Sequence, residues 1–454
     1  AGAAFAAGSD ASGTVNGVDW VYTSADKTLV LSGSGTLGED VADFGLFGGS
    51  WVAEHVKIGA DVNITTGRVF ENFDFVDEYE VDANNKYLCN PDGVLMDKDK
   101  TVLIKYPAGS KEFSFYTVPD TVKTISYRAF EFSSALKTIF LNDGLETIEN
   151  FAFDNCGNLL YITIPGTVTS MGKGVLAQCN LLNKVTIEEG VTAIPEDAFD
   201  RCRSLETVNL PDSLTTIGDI AFFGCTKLKT LKLPKNLQTF TDSPGRNFGG
   251  LNIALTVDPE NQYFSTDDLG VLYNKDKTLL YYCPNLPYTF DYTVRCDLNK
   301  YAFKGCENLR NVDIAYNLRA IPTYAFNGCK NLNTVTLPAT LQRVDGAAFD
   351  SSLNTVNYRG TEELWKLITI DSYDNSAIKS ANVVYNYSEE EEPKEITFTF
   401  DRSKSTVTIT GSGTLTVNDI KKWDTSEINT YALKVKIGKN INVTDARVFC
   451  DSIQ

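Results

Sequence analysis

The chain has 454 residues, 43% of them hydrophobic, enough for several domains or one extended repeat array and not the composition of a disordered chain. Its 59 acidic against 41 basic residues give a net charge of −18, which argues against capture of nucleic acid or of an anionic membrane surface. No apolar run approaches the ~18 residues a membrane-spanning helix needs, and a single histidine, His55, removes metal sites built from several imidazoles.

The opening AGAAFAAGSD, without a Met, is expected of a chain from which an export signal has been cut. Residues 1–50 read as an N-terminal β module. Its LVLSGSGTL (29–37) lacks the full phosphate-loop pattern, so Gly-Ser-Gly is read as a tight strand bend. Residues 51–386 read as a repeat solenoid. Two long segments, VDANNKYLCNPDGVLMDKDKTVLIKYP from Val81 and VDPENQYFSTDDLGVLYNKDKTLLYYCP from Val257, resemble each other and predict β insertions near 81–128 and 251–301, each with Lys-Asp-Lys at a hairpin tip. Asp97 and Asp99 lack the ligand order of a calcium loop and suit a solvated turn.

Ala-Phe pairs at 129/130, 152/153, 198/199, 221/222, 302/303, 325/326 and 348/349, with Val175-Leu176 in the vacant slot, recur every 23 residues within each run. A fixed period of this size marks a solenoid, whose units bury their apolar faces only by stacking. Counted from the Ala, offset 7 is Leu in seven units, and offsets 10 and 12 are Ile, Val or Leu, as in Ile162/Ile164 and Leu231/Leu233. That alternation predicts a short strand with one face inward, closed by residues such as Pro165 and Pro234. The three-to-four-residue spacing around Ala-Phe predicts a short helical turn. Strands at one offset should pair into a parallel sheet, roughly 4.8 Å apart.

Offset 4 holds Cys156, Cys179, Cys202, Cys225, Cys306 and Cys329, with Ser133 and Ser352 at or near the same slot in the first and last units. Equivalent side chains on stacked coils lie side by side, roughly 4.8 Å or more apart, whereas a disulfide needs Cβ atoms about 3.8 Å apart. No zinc spacing accompanies them. The expectation is a column of buried free thiols acting as small packing groups. Cys89, Cys283, Cys296 and Cys450 are assigned no chemistry.

A cap is predicted near 357–386, where Thr361 is a candidate helix N-cap, followed by an acidic linker at 387–396, SEEEEPKE within it. Residues 397–454 read as a second β module with the start of a further repeat: VTITGSGTL (407–415) matches 29–37, and VKIGKNINVTDARVF (435–449) matches VKIGADVNITTGRVF (56–70). His55 then aligns with Lys434, so it is expected on the surface and not in a catalytic site.

Together the pattern AFxxCxxLxxVxLPxxLxxIxxxAF, the GVLYNKDKT insertion, the GTEELW cap and the GSGTL module resemble the BspA-like leucine-rich-repeat proteins of bacterial surfaces. The resemblance implies an α/β repeat solenoid, a leucine-rich-repeat array with parallel β-sheet and short helical turns, flanked by small β modules. It also implies a secreted or bacterial cell-surface protein, adhesin-like, that binds extracellular or host protein, or glycan, with no catalytic residues to carry over; the residues themselves lead us to expect no cofactor and no metal.

If offsets 10 and 12 point inward, offsets 9 and 11 face out. That face is mostly Thr, which suits strands. Phe140 and Tyr161 are large aromatics on neighbouring coils, and with Lys184, Asn209 and Lys232 they are the candidate ligand-binding residues; the plain alternative is that the 81–128 insertion or a partner chain covers the two rings. The rival functions are a structural spacer displaying another domain and a carbohydrate-active enzyme whose carboxylates meet from distant coils.

Overall fold

The computed structural model describes residues 10–42, 53–71, 73, 75–110, 114–349, 353–388, 397–401, 406–410, 413–415, 434–437 and 441–443. Two units are present, residues 1–385 and 386–454.

The first unit begins with β1 (Ala11–Val15), β2 (Val18–Thr23) and β3 (Thr28–Leu37), an antiparallel meander. The first half of β3 pairs in parallel with β4 (His55–Ile58) and the second half with β5 (Asp61–Ile64), because the strand bends at Gly33-Ser34-Gly35. Gly33 has φ +82°, and a Cβ on Gly35 would lie 1.9 Å from the Asn16 carbonyl oxygen. Only a side chain of hydrogen fits that crossing. His55 opens β4 and is exposed. The second unit repeats this pairing: Thr397–Asp401 runs antiparallel to Thr406–Thr410, which pairs in parallel with Lys434–Ile437, while Gly413–Leu415 pairs with Ile441–Val443. Thr28 opposite His55 has its counterpart in Thr406 opposite Lys434.

After β6 (Glu78–Val81), which pairs with β4, the first insertion forms β7 (Leu88–Cys89), β8 (Leu95–Asp97) and β9 (Val102–Lys105). Asp97 spends its carboxylate on the hairpin, accepting from the Thr101 and Val102 N–H groups and the Thr101 hydroxyl at 2.6–2.7 Å. Asn85, 1% exposed, clamps the insertion to the previous coil. Its amide donates to the Gly59 and Val62 carbonyls and its oxygen accepts from Tyr87 and Leu88 N–H.

Two rows of strands then alternate along the chain: β10 (Phe115–Thr117), β11 (Thr124–Ile125), β12 (Thr138–Phe140), β13 (Thr147–Ile148), β14 (Tyr161–Ile164), β15 (Ser170–Met171), β16 (Lys184–Ile187), β17 (Ala193–Ile194), β18 (Thr207–Asn209), β19 (Thr216–Ile217), β20 (Thr230–Leu233), β21 (Thr239–Phe240) and β22 (Ala254–Val257). The even-numbered strands β10 to β18 form one parallel sheet, and β20 pairs with β22. β10 lies inside the stretch read as insertion, so the array starts earlier than its first Ala-Phe pair. The second insertion forms β23 (Phe264–Thr266), β24 (Leu272–Asn274) and β25 (Leu279–Tyr282), and the first row resumes with β26 (Phe290–Val294). Pairing in this row is interrupted between β6 and β10, between β18 and β20, and between β22 and β26.

The segments around Ala-Phe are not helical turns. All seven pairs lie in turns or bends. Each coil whose turn is fully described carries two left-handed residues, one just before the Ala (Phe151 φ 59°, Asp197 φ 57°, Tyr324 φ 59°) and one three after it (Asn155 φ 55°, Gln178 φ 58°, Gly328 φ 75°). A left-handed step ends an α-helix. The N–H groups it releases reach the next coil instead, as in Phe130 to the Ala152 carbonyl at 2.7 Å, Phe153 to Val175 at 2.9 Å and Asn155 to Ala177 at 2.9 Å. Stacked turns thus replace helices along this edge of the array.

Inside, the predicted offsets fill the core: Phe153, Leu159 and Ile164 are fully buried, and the rings of Phe130 and Phe153 stack at 5.1 Å, as do Phe326 and Phe349. The described cysteines are free thiols. Five of the six offset-4 thiols donate to the carbonyl at offset 1 of the coil before, as Cys156 does to Phe130 (3.0 Å), Cys179 to Phe153 (3.2 Å), Cys202 to Leu176 (3.1 Å) and Cys329 to Phe303 (3.1 Å), while Cys306, next to the second insertion, donates to Cys283 (3.2 Å). Cys450 and Ser352 lie outside the described residues. Near the C-terminal cap, Thr361 accepts from Leu364 N–H at 3.3 Å and starts the short helix α1 (Glu362–Trp365), and Trp365 packs edge-on against Tyr358.

Candidate functional site

The outward face of the β10–β18 sheet follows from strand alternation. In β14, Ile162 and Ile164 are buried while Tyr161 and Thr163 are exposed. In register, Phe115 lies opposite Thr138, Thr138 opposite Tyr161, Tyr161 opposite Lys184 and Lys184 opposite Thr207. One row across the sheet therefore reads Phe115, Thr138, Tyr161, Lys184, Thr207. Phe140 stands two residues further along β12, opposite Thr117.

Phe115, Phe140 and Tyr161 are 58%, 51% and 50% exposed, so the insertion does not cover them. Thr138, between the strands of Phe115 and Tyr161, is only 8% exposed. Two strand spacings separate Phe115 from Tyr161, about 10 Å, with Phe140 diagonal to both. Rings so placed offer apolar area at little entropic cost, because each has only two rotatable side-chain bonds.

Of the other candidate residues, Lys184 sits beside Tyr161, exposed and outside the ion pairs found among the described residues. Asn209 is exposed on β18 and its amide lies 3.4 Å from the Thr186 hydroxyl. Lys232 belongs to β20, across an interruption, and is tied to Asp258 at 2.8 Å; that hydrogen bond raises its pKa. The structure thus brings Phe140, Tyr161, Lys184 and Asn209 onto one sheet and leaves Lys232 on the next.

Phe115 is the member that sequence reasoning missed. Its coil has Lys105-Tyr106 where others have Ala-Phe, and Tyr106 takes the Phe position, stacking on Phe130 at 5.1 Å. The usable signal was FYTVP at 115–119, set 23 residues before Thr138.

A family model described as BspA type leucine rich repeat region matches six copies, over residues 108–229, 192–248 and 279–392. No curated protein matches the chain. Among solved structures, a leucine rich cell surface protein from Faecalibacterium prausnitzii A2-165 is similar at 19% identity with a TM-score of 0.47, covering 80% of this chain and 98% of its own. The pneumococcal vaccine antigen PcpA is similar at 19% identity with a TM-score of 0.43, covering 95% and 99%.

Proposed function

Because the chain belongs to the BspA-type leucine-rich-repeat family, matched over more than half its length, we propose that it is a secreted or cell-surface bacterial protein that acts by recognition and not by chemistry. Its contact face is the β10–β18 sheet, centred on Phe115, Phe140 and Tyr161, with Lys184 and Asn209 beside them; Lys232 contributes at most to the margin. The partner is an extracellular or host protein. The observation that carries this reading is the set of three half-exposed aromatic rings on three adjacent strands of a face otherwise composed of Thr, Asn and Lys. Exposed aromatics of this kind form the centres of protein interfaces.

The test is capture of host extracellular proteins by residues 1–454, alongside a glycan array, with the variant Phe115→Ser/Phe140→Ser/Tyr161→Ser as control. Loss of each ring should cost about 2 kcal/mol, roughly 30-fold in affinity, while the circular dichroism spectrum is retained. Capture of the same protein with equal affinity by the variant would remove the reading.

A further inference from the structure

Where the first insertion enters, consecutive first-row strands β6 and β10 do not pair, and each ends its sheet. Between them lies a cleft of about 840 Å³, whose lining includes Asp77, Glu78, Asp92, Tyr106, Phe115 and Tyr116. The three carboxylates are exposed; His55, opposite Glu78, also lines the cleft, and no described Lys or Arg does. The chain is acidic overall, but here its charge converges on a concave site with aromatic walls and an unpaired strand edge.

The second insertion supplies an internal comparison. It too separates first-row strands, β22 from β26, and there Tyr273 bridges the break: its hydroxyl meets that of Tyr292 on β26 and donates to Asp267 at 3.1 Å. Tyr292 and Tyr116 hold the same register position, opposite Val312 and Ile139 respectively. In the matching sequences, however, Met96 replaces Tyr273 and Asn90 replaces Asp267. Met96 has no hydroxyl to offer Tyr116, and Asn90 turns to the Tyr79 carbonyl on β6 at 2.6 Å. One insertion therefore bridges its break with a tyrosine pair, and at the other the cleft is lined by β10, whose edge has no strand partner among the described residues.

We infer that the β6/β10 cleft binds an extended, Lys- or Arg-bearing peptide segment that adds as a strand to the edge of β10. The backbone of β10 supplies the ladder, as in other strand-addition complexes. Asp77, Glu78 and Asp92 pair with the cationic side chains, and exposed Phe115, with half-buried Tyr116 beside it, presents ring surface to their stems and charged ends, while Tyr106 is buried behind them. Charge complementarity selects this occupant: an acidic peptide or anionic polymer would meet three carboxylates with no described Lys or Arg to offset them. The cleft shares Phe115 with the outer face, but its carboxylates and the β10 edge lie away from Phe140 and Tyr161, so substitutions at Asp77, Glu78 and Asp92 and substitutions at Phe140 and Tyr161 test the two sites apart.

The experiment is fluorescence anisotropy of the full chain with a short labelled peptide alternating Lys and Val, its Glu-for-Lys counterpart, and the Lys–Val peptide N-methylated on alternate amides. Only the first should bind, at least about tenfold more tightly than the other two, and salt should weaken it. The surface variant Asp77→Asn/Glu78→Gln/Asp92→Asn should lose that binding, and Phe140→Ser/Tyr161→Ser should keep it. Met96→Tyr, read only if its thermal unfolding matches wild type, should close the cleft. No binding of the Lys–Val peptide, equal binding of the Glu or N-methylated peptide, or binding that survives the triple amide variant would overturn the inference.

Discussion

The thiol of Cys179 donates to the carbonyl of Phe153, 3.2 Å away on the preceding coil, and both residues are fully buried. The cysteine period is therefore more than a size restriction: the thiol spans a coil boundary and gives the Phe153 carbonyl a second donor beside the Cys156 N–H. Ser133 occupies the same slot in the first Ala-Phe unit, buried, with its hydroxyl unpaired. The shorter C–O bond does not reach the previous coil.

Serine is accordingly the wrong replacement. Cys202→Ser should cost about 1–3 kcal/mol through a buried hydroxyl without a partner, and Cys202→Ala should cost no more, because the lost sulfur leaves a small cavity. Urea unfolding of the two variants checks the order; a serine variant as stable as wild type would contradict it. Burial also pushes the Cys179, Cys202, Cys225 and Cys306 thiols well up from their ordinary pKa. Among the described cysteines, an aromatic disulfide reagent should modify half-buried Cys89 before these four, which should react only after unfolding.

Asn261 is fully buried. It donates to the Pro234 and Leu237 carbonyls at 2.8 and 2.9 Å and accepts from Tyr263 and Phe264 N–H at 2.8 Å. Asn261→Leu strands four backbone groups and should destabilise the first unit by about 2–4 kcal/mol. Thermal unfolding would show it, and a midpoint within a degree or so of wild type would count against this clamp.

Glu131 is 2% exposed and burial raises its pKa to about 7, despite Arg128 at 2.6 Å. Its folded pKa thus exceeds its unfolded one, so between about pH 4.5 and 7 the unfolded chain has lost a proton that the folded chain keeps. Stability from this group is full below that window and falls as pH rises through it, by a few kcal/mol, on the order of 3. Glu131→Gln should flatten this part of the pH dependence and unfold at higher urea than wild type at pH above 7. Identical pH slopes for the two proteins would refute the assignment.

Lys184 and Lys232 should separate in binding assays. Lys184→Ala removes an unpaired cation beside Tyr161 and should weaken a ligand of the aromatic face several-fold, in line with exposed charge pairs of about 0.5–1 kcal/mol. Lys232→Ala removes one already held by Asp258 on another sheet and should change affinity less than twofold. A larger effect at Lys232 would move the contact face along the array.

The strand rows were legible because alternation has one structural meaning: Ile162 and Ile164 could face only inward if Tyr161 and Thr163 faced out. Spacing around Ala-Phe has two. Residues three or four apart meet on a helix, and they also meet across successive turns with left-handed joints, as Phe153, Cys156 and Leu159 do here. Glycine at 224, 305 and 328, and Asn155, were the signal for the second geometry, since those residues tolerate positive φ. Phe115 escaped notice for a different reason: its coil lacks the Ala-Phe landmark, and only the stacking of Tyr106 on Phe130 reveals the substitution. The cleft beside it depends on two sheets failing to join, which no local pattern encodes.

Turn N–H groups donate forward, as Phe153 does to Val175, and thiols donate backward, as Cys179 does to Phe153. From the coil of Ala129 to that of Ala221 every boundary is thus the same joint, with a male and a female half on each coil. Whole coils of 23 residues can be gained or lost by recombination without a new kind of contact being invented, and the distance between the β10 edge and the C-terminal cap becomes a quantity that selection can adjust in single steps.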